Sequence, residues 1–162
     1  MGIEKTLKRA EVFLGLNDAA LARVAALPSC RGETYQTREV IFRMGEEAKH
    51  LYILKSGRVD LVMEARPTSI QIVKDVLADR VTTGGFFGWS ALVEPHSYAM
   101  SAVCREPSVV VIISGTELIA LLNEDHYIGY TVLRSLTRII GRRLREIEHV
   151  VMKGEGWPFL NR

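Results

Sequence analysis

Cysteine is scarce in this chain. Only two occur in 162 residues, Cys30 and Cys104, and neither has another cysteine nearby in sequence. They make neither a disulfide framework nor a zinc site, so a reducing cytoplasm is the expected setting. Charge of one sign is scarce as well: 21 basic and 19 acidic residues leave a net +2. A general binder of nucleic acid or anionic membrane carries a larger basic excess. No apolar run approaches the roughly 20 residues that span a bilayer. The N-terminus, MGIEKTLKRAE, lacks the apolar stretch of a secretory signal. Met1-Gly2 with Thr6 fits the short N-myristoylation pattern, and the plainer reading is an ordinary chain start. Catalytic signatures are missing too. There is no G-x-x-x-x-G-K-[ST], no H-E-x-x-H and no C-x-x-C. Gly88-Trp89-Ser90-Ala91-Leu92 begins like a nucleophile elbow but lacks its second glycine. His50, His96, His126 and His149 are dispersed without ligand spacing, so no metal is expected. These absences together argue against an enzyme.

What is present fits one globular domain. Hydrophobic residues make up 48% and charged residues 25%, enough to bury a real core. From Thr6 to Leu27 the apolar residues Val12, Phe13, Leu16, Leu21, Val24 and Leu27 recur at helical spacing. A break at Gly15-Leu16-Asn17-Asp18 places Asn17 or Asp18 as the cap of a second short helix, and Pro28 ends it. The middle is a series of short β-type runs: 34–36, 39–43, 50–55, 58–64, 70–77, 81–82, 98–104 and 109–113. Turn signals separate them at Met44-Gly45-Glu46, Ser56-Gly57, Arg66-Pro67-Thr68-Ser69 and Arg105-Glu106-Pro107-Ser108. Many short strands at near-even spacing predict a β-sandwich or jelly roll. The end is helical again. Ser114 or Thr116 with Glu117 starts a short helix through Leu122, and a long helix follows from about Asp125 to Val151. Its apolar stripe is Ile128, Val132, Leu136, Ile139, Ile140, Leu144, Ile147 and Val151. Such a stripe exceeds what one small β-domain covers, so pairing with a second copy is its outlet. Residues 153–162 read as an extended tail.

The stretch richest in information is Thr83-Gly84-Gly85-Phe86-Phe87-Gly88-Trp89-Ser90-Ala91-Leu92-Val93. A strand leads into a glycine turn that opens a short helix. Gly84, Gly85 and Gly88 allow positive φ and close backbone approach. Free N–H groups after Gly88 would form an anion site at the helix start.

These segments resemble the cyclic nucleotide-binding domain of the Crp/Fnr superfamily and its relatives in kinases and channels. The similar segments are Phe13-Leu14-Gly15-Leu16, then Glu39 to Glu46, then the hairpin Leu51-Tyr52-Ile53-Leu54-Lys55-Ser56-Gly57-Arg58-Val59. Gly85-Phe86-Phe87-Gly88 through Ala102 stands where the family has its phosphate-binding cassette, and the last helix matches its dimer helix. The resemblance covers about residues 10 to 150. It implies a mainly β fold: a double-stranded β-helix (jelly roll) at about 30–114, with N-terminal helices and a long C-terminal dimerisation helix, all within 1–152. It also implies a regulatory module that signals through that helix to a partner protein.

The cassette departs from the family pattern. Nucleotide-binding members read F-G-E-x-x-L and then R-x-A. The glutamate accepts from the ribose hydroxyl and the arginine pairs with the cyclic phosphate. Here Trp89 stands in the glutamate's place and Tyr98 in the arginine's. Losing a charge-assisted contact of that kind costs about 1.5–3 kcal/mol or more. The candidate ligand-binding residues are Gly85, Phe87, Gly88, Trp89, Ser90, Ala91, Leu92, Tyr98, Ala99 and Arg143. Trp89 is either a stacking wall or a plug. Arg143 either stacks on Trp89, stays solvated or pairs across a dimer. The ligand is a cyclic nucleotide or another small anion, or the domain is a ligandless interaction module. A truncated transcription regulator is a third reading. Only a short tail follows Val151, so direct DNA binding is not expected from this chain. The dimer would be a homodimer paired through Ile128, Val132, Leu136, Ile139, Ile140, Leu144 and Ile147.

Overall fold

The computed structural model describes residues 2–65 and 74–152. The turn expected at Arg66–Ser69, the start of the strand expected at Ile70 and the tail with Trp157, Pro158 and Phe159 lie outside the described residues. The first helical stretch is three pieces, not two. Helix α1 is Ile3–Arg9, a single 3-10 turn covers Glu11–Phe13, and α2 is Asp18–Ala25. Asn17 caps α2, its side chain accepting from the Ala20 amide at 2.8 Å.

Eight strands follow: β1 Arg31–Tyr35, β2 Val40–Phe42, β3 His50–Ser56, β4 Val59–Ala65, β5 Lys74–Val81, β6 Phe86–Phe87, β7 Ser101–Cys104 and β8 Ser108–Ser114. They form two four-stranded antiparallel sheets, in the orders β1-β8-β3-β6 and β2-β7-β4-β5. Three details differ from the sequence reading. Val81 closes β5 rather than starting a separate strand. Phe86–Phe87 pair with Tyr52 and Ile53 as a strand inside the glycine-rich stretch. Strand β7 begins at Ser101, so Tyr98 lies in the loop before it.

The first sheet is covered on both faces, which explains its unbroken apolar runs. Leu51, Ile53, Phe86, Val111 and Ile113 face a cluster built with the helices. Tyr52, Leu54, Phe87, Val110 and Ile112 face the interior of the β-roll. Successive residues on a strand point to opposite faces, so each run serves two cores.

Helix α3, Gly115–Glu124, is capped by Ser114, and α4 is His126–Met152. The apolar stripe of α4 is in fact two stripes. Ile128, Val132, Leu136 and Ile139 are buried inside this chain against the N-terminal helices, not on a free face. That corrects their assignment as dimer contacts. A second line, Tyr130, Leu133, Ile140 and Leu144, is 67%, 57%, 41% and 55% exposed. With Thr137 it runs 130, 133, 137, 140, 144, the alternating three–four spacing of a coiled-coil seam. At 100° per residue the two lines sit roughly 120° apart around the helix. The side chain of Ile147 lies outside the described residues.

Candidate functional site

The cassette lies at the seam between the two cores. After β6, Gly88 turns the chain with φ +75° and the 3-10 helix Trp89–Leu92 follows. Gly88 has no room for a side chain. A Cβ there would meet the His50 carbonyl oxygen at 2.8 Å and the Tyr52 ring at 2.9 Å. Gly115, at the start of α3, is as tight: a Cβ would come within 2.4 Å of the Ala91 oxygen. The short helix is thus clamped between β3 and α3. Of the other two glycines singled out, Gly84 has φ +85° and Gly85 does not have positive φ.

The side chains of this helix divide. Ala91 joins the roll interior, whereas Trp89 and Leu92 pack on the helical cluster. Trp89 is therefore neither a wall nor a plug of the roll interior. Ser90 is half-buried.

Tyr98 is the residue that fills the interior. It is 4% exposed. Its ring stacks on Phe42 at a centroid distance of 3.7 Å and an interplanar angle of 14°. Its hydroxyl donates to the His50 carbonyl at 3.0 Å and accepts from the His50 amide at 3.2 Å. Tyr52 and Phe87 stack beside it at 5.1 Å, and Phe42 lies 5.4 Å from Tyr52. The backbone fixes this arrangement. The Tyr98 amide donates to Glu46, the Gly45 amide to Tyr98, and the Ala48 amide to His96. Ala99, the next residue, is exposed. Burial, with Tyr98 alongside, pushes the Tyr52 phenol well above its ordinary range. Burial lowers the His50 pKa below the model-peptide 6.5, with Arg31 and Lys49 adding to the effect.

Phe87, Gly88 and Tyr98 therefore gather at His50 and Tyr52, while Trp89, Leu92 and Arg143 do not join them. Arg143 is committed elsewhere: its guanidinium pairs with Asp79 of β5 at 2.8 Å. The adjacent Arg142 pairs with Glu11 at 2.7 Å. These two ion pairs fasten α4 to β5 and to the N-terminal 3-10 turn. Within this chain Arg143 pairs with Asp79 rather than stacking on Trp89. Sequence reading missed Phe42 and Tyr52 as pocket-fillers. The signal was available, because Tyr52 and Leu54 alternate on the strand face that looks toward the cassette. Among the described residues, no three His, Cys, Asp or Glu gather where they could hold a metal ion, and no helix is long and apolar enough to cross a membrane.

An eight-stranded β-roll, a glycine-turn helix lying between β3 and α3, and a long helix folded back on the roll define a class: ligand-sensing regulatory domains of the cyclic nucleotide type. The chain belongs to the cyclic nucleotide-binding domain family, whose profile matches residues 33–125. No curated protein matches it in sequence. Among solved structures it is similar to a candidate cyclic nucleotide-binding protein from Geobacter metallireducens, with TM-score 0.72 and 26% identity, over 89% of this chain and 99% of that one. It is similar to the catabolite activator protein of Thermus thermophilus, with TM-score 0.72 and 22% identity, over 88% of this chain and 62% of that one. The regulatory subunit of a cAMP-independent protein kinase A from Trypanosoma brucei, in a variant bound to cAMP, has TM-score 0.65 and 21% identity, over 83% of this chain and 44% of that one.

Proposed function

We propose that this protein is a regulatory module, not an enzyme, that works as a homodimer in the cytoplasm. It passes a packing change from the cassette through α4 to a partner protein, and cAMP and cGMP are not its natural signals. The observation that carries this reading is Tyr98. Where the family places the phosphate-binding arginine, this chain has a buried ring stacked on Phe42, with its hydroxyl spent on both backbone groups of His50. A phosphate would have to displace a satisfied polar group, and the side chain at position 98 would offer it no cation in return. Arg143, the cation nearest in expectation, is held by Asp79. A kinase regulatory subunit described as cAMP-independent shares the fold, so the fold and a response to cAMP are separable. The dimer reading rests on the exposed seam of α4, whose residues the chain's own core does not cover.

The test is thermal melting with about 1 mM cAMP or cGMP, on the natural protein and on the W89E/Y98R double variant. The natural protein should not shift. The variant restores the glutamate and the arginine, so it should melt lower alone and recover with cAMP. At a Kd of about 10 µM, hundredfold excess adds about 2.7 kcal/mol, a rise of roughly 5–10 °C. A rise of that size in the natural protein would overturn the reading.

A further inference from the structure

The outer face of the second sheet carries a cluster with no part in the cassette. Asp60, on β4, is 4% exposed, yet it is ionised: burial acts to raise its pKa, and hydrogen bonds from Arg80 and Arg105 more than offset that. The geometry is specific. The Arg80 Nε donates to Oδ1 and the Arg105 Nε to Oδ2, both at 2.9 Å. Each guanidinium therefore spends its inner nitrogen on the carboxylate. The terminal pair of nitrogens on each remains in side chains that are 51% and 41% exposed. Asp60 acts as a splint that holds two arginine forks side by side.

A third arginine completes the group. Arg58 immediately precedes β4, two residues before Asp60, and its carbonyl accepts from the Arg105 amide at 2.9 Å. Its Nε is buried and has no hydrogen-bond partner among the described residues. Buried polar groups are normally satisfied, so this orphan marks an acceptor that the described residues do not supply. Two guanidiniums here hold one buried carboxylate, and Arg58 and Arg105 flank the Val59–Cys104 register pair, in a chain whose net charge is only +2.

We propose that Arg58, Arg80 and Arg105 form a binding site for a phosphoryl dianion. Planar guanidinium forks match the oxygen edges of phosphate, and each fork that is already oriented loses less side-chain freedom on binding. The group would come from a free phosphate monoester or from a phosphorylated partner protein.

The experiment is amide NMR titration of the full chain at fixed ionic strength, because exposed charges are screened by salt. The probes are phenyl phosphate, a capped phosphoserine pentapeptide otherwise made of glycine and serine, and the same peptide unphosphorylated. Phenyl phosphate should shift the amides of residues 58–60, 80 and 103–105 and saturate. The R58Q and R105K variants should each weaken binding about tenfold, the second because lysine keeps the charge but loses the fork. R134Q, on the long helix, should change nothing. Arg58 makes no ion pair among the described residues, so R58Q tests the site without disturbing Asp60. A phosphopeptide that binds at least about tenfold tighter than phenyl phosphate assigns the source to a protein, and equal affinities assign it to a small ester. No saturation by roughly 20 mM, well past a Kd of about 1 mM, overturns the proposal. So does binding that R58Q and R105K leave unchanged, or equal binding of the unphosphorylated peptide.

Discussion

At the scale of single residues, Tyr98 does two separable things. Its ring fills the roll by stacking on Phe42, and its hydroxyl satisfies the backbone of His50. Tyr98→Phe keeps the first and removes the second. A buried donor or acceptor that loses its partner costs about 1–3 kcal/mol. For a domain of this size that lowers the Tm by roughly 2–10 °C, measurable by differential scanning calorimetry. Because the ring remains, the variant should stay folded and still ignore cAMP. A Tm equal to that of the natural protein would mean that water or a neighbour replaces the hydroxyl. The substitution at position 98 was legible in sequence, because it falls where the resemblance places an arginine. What the tyrosine does instead was not legible, since its partners Phe42 and His50 lie dozens of residues away and sequence carries no distance. The role of Trp89 failed for a related reason. Its position on the short helix was readable, but which of two cores it joins depends on how that helix rolls between β3 and Gly115.

At the scale of elements, α4 shows why one apolar stripe was read where two exist. The residues at 128, 132, 136 and 139 and those at 140 and 144 are all apolar at spacings of one, three and four, so they merge into one broad face when only periodicity is counted. The packing of the N-terminal helices separates them. Ile128, Val132, Leu136 and Ile139 belong to the chain's own core. Tyr130, Leu133, Ile140 and Leu144 remain exposed in line. The two groups therefore predict different failures. Leu133→Glu with Ile140→Glu puts charges into the seam between two helices and should leave a folded monomer. Analytical ultracentrifugation would report the halved mass, and circular dichroism the retained fold. Val132→Glu instead buries an unpaired carboxylate in the subunit core, at a cost of several kcal/mol that should unfold it. If the double variant sediments as the natural protein does, the seam is not the dimer contact. The ion pairs Arg142–Glu11 and Arg143–Asp79 set how α4 lies on the roll that the seam must serve. Side chains this exposed contribute only about 0.2–1 kcal/mol each, enough to bias a helix position without locking it.

For the whole molecule, the titrating groups set a pH window. Among the described residues, three carboxyls sit below their ordinary values. Glu117 accepts from the Ser29 hydroxyl and amide, and Asp125 from the Ile128 and Tyr127 amides beside Arg23. Asp60 is held by Arg80 and Arg105 against the opposing effect of burial. His50 is also depressed, by burial first. A depressed folded pKa means the unfolded chain binds the proton more readily, so stability falls as pH drops. For His50 that loss begins below the unfolded value of 6.5, and for the carboxyls below 4.5 and 3.8. On the alkaline side the sign reverses. Burial, with Glu117 nearby, raises the Cys30 thiol from 9.0 to about 11, and burial raises Tyr35 from 10.0 to about 12. The unfolded chain then releases these protons first, so stability is lost as pH climbs past 9.0. Urea unfolding across pH should therefore show a plateau bounded by about 6.5 and 9. A shallow decline should precede a steep one on the acid side. His50→Gln should remove the shallow part and leave the steep one. A variant profile that still declines between pH 6.5 and 5 would locate that proton on another group.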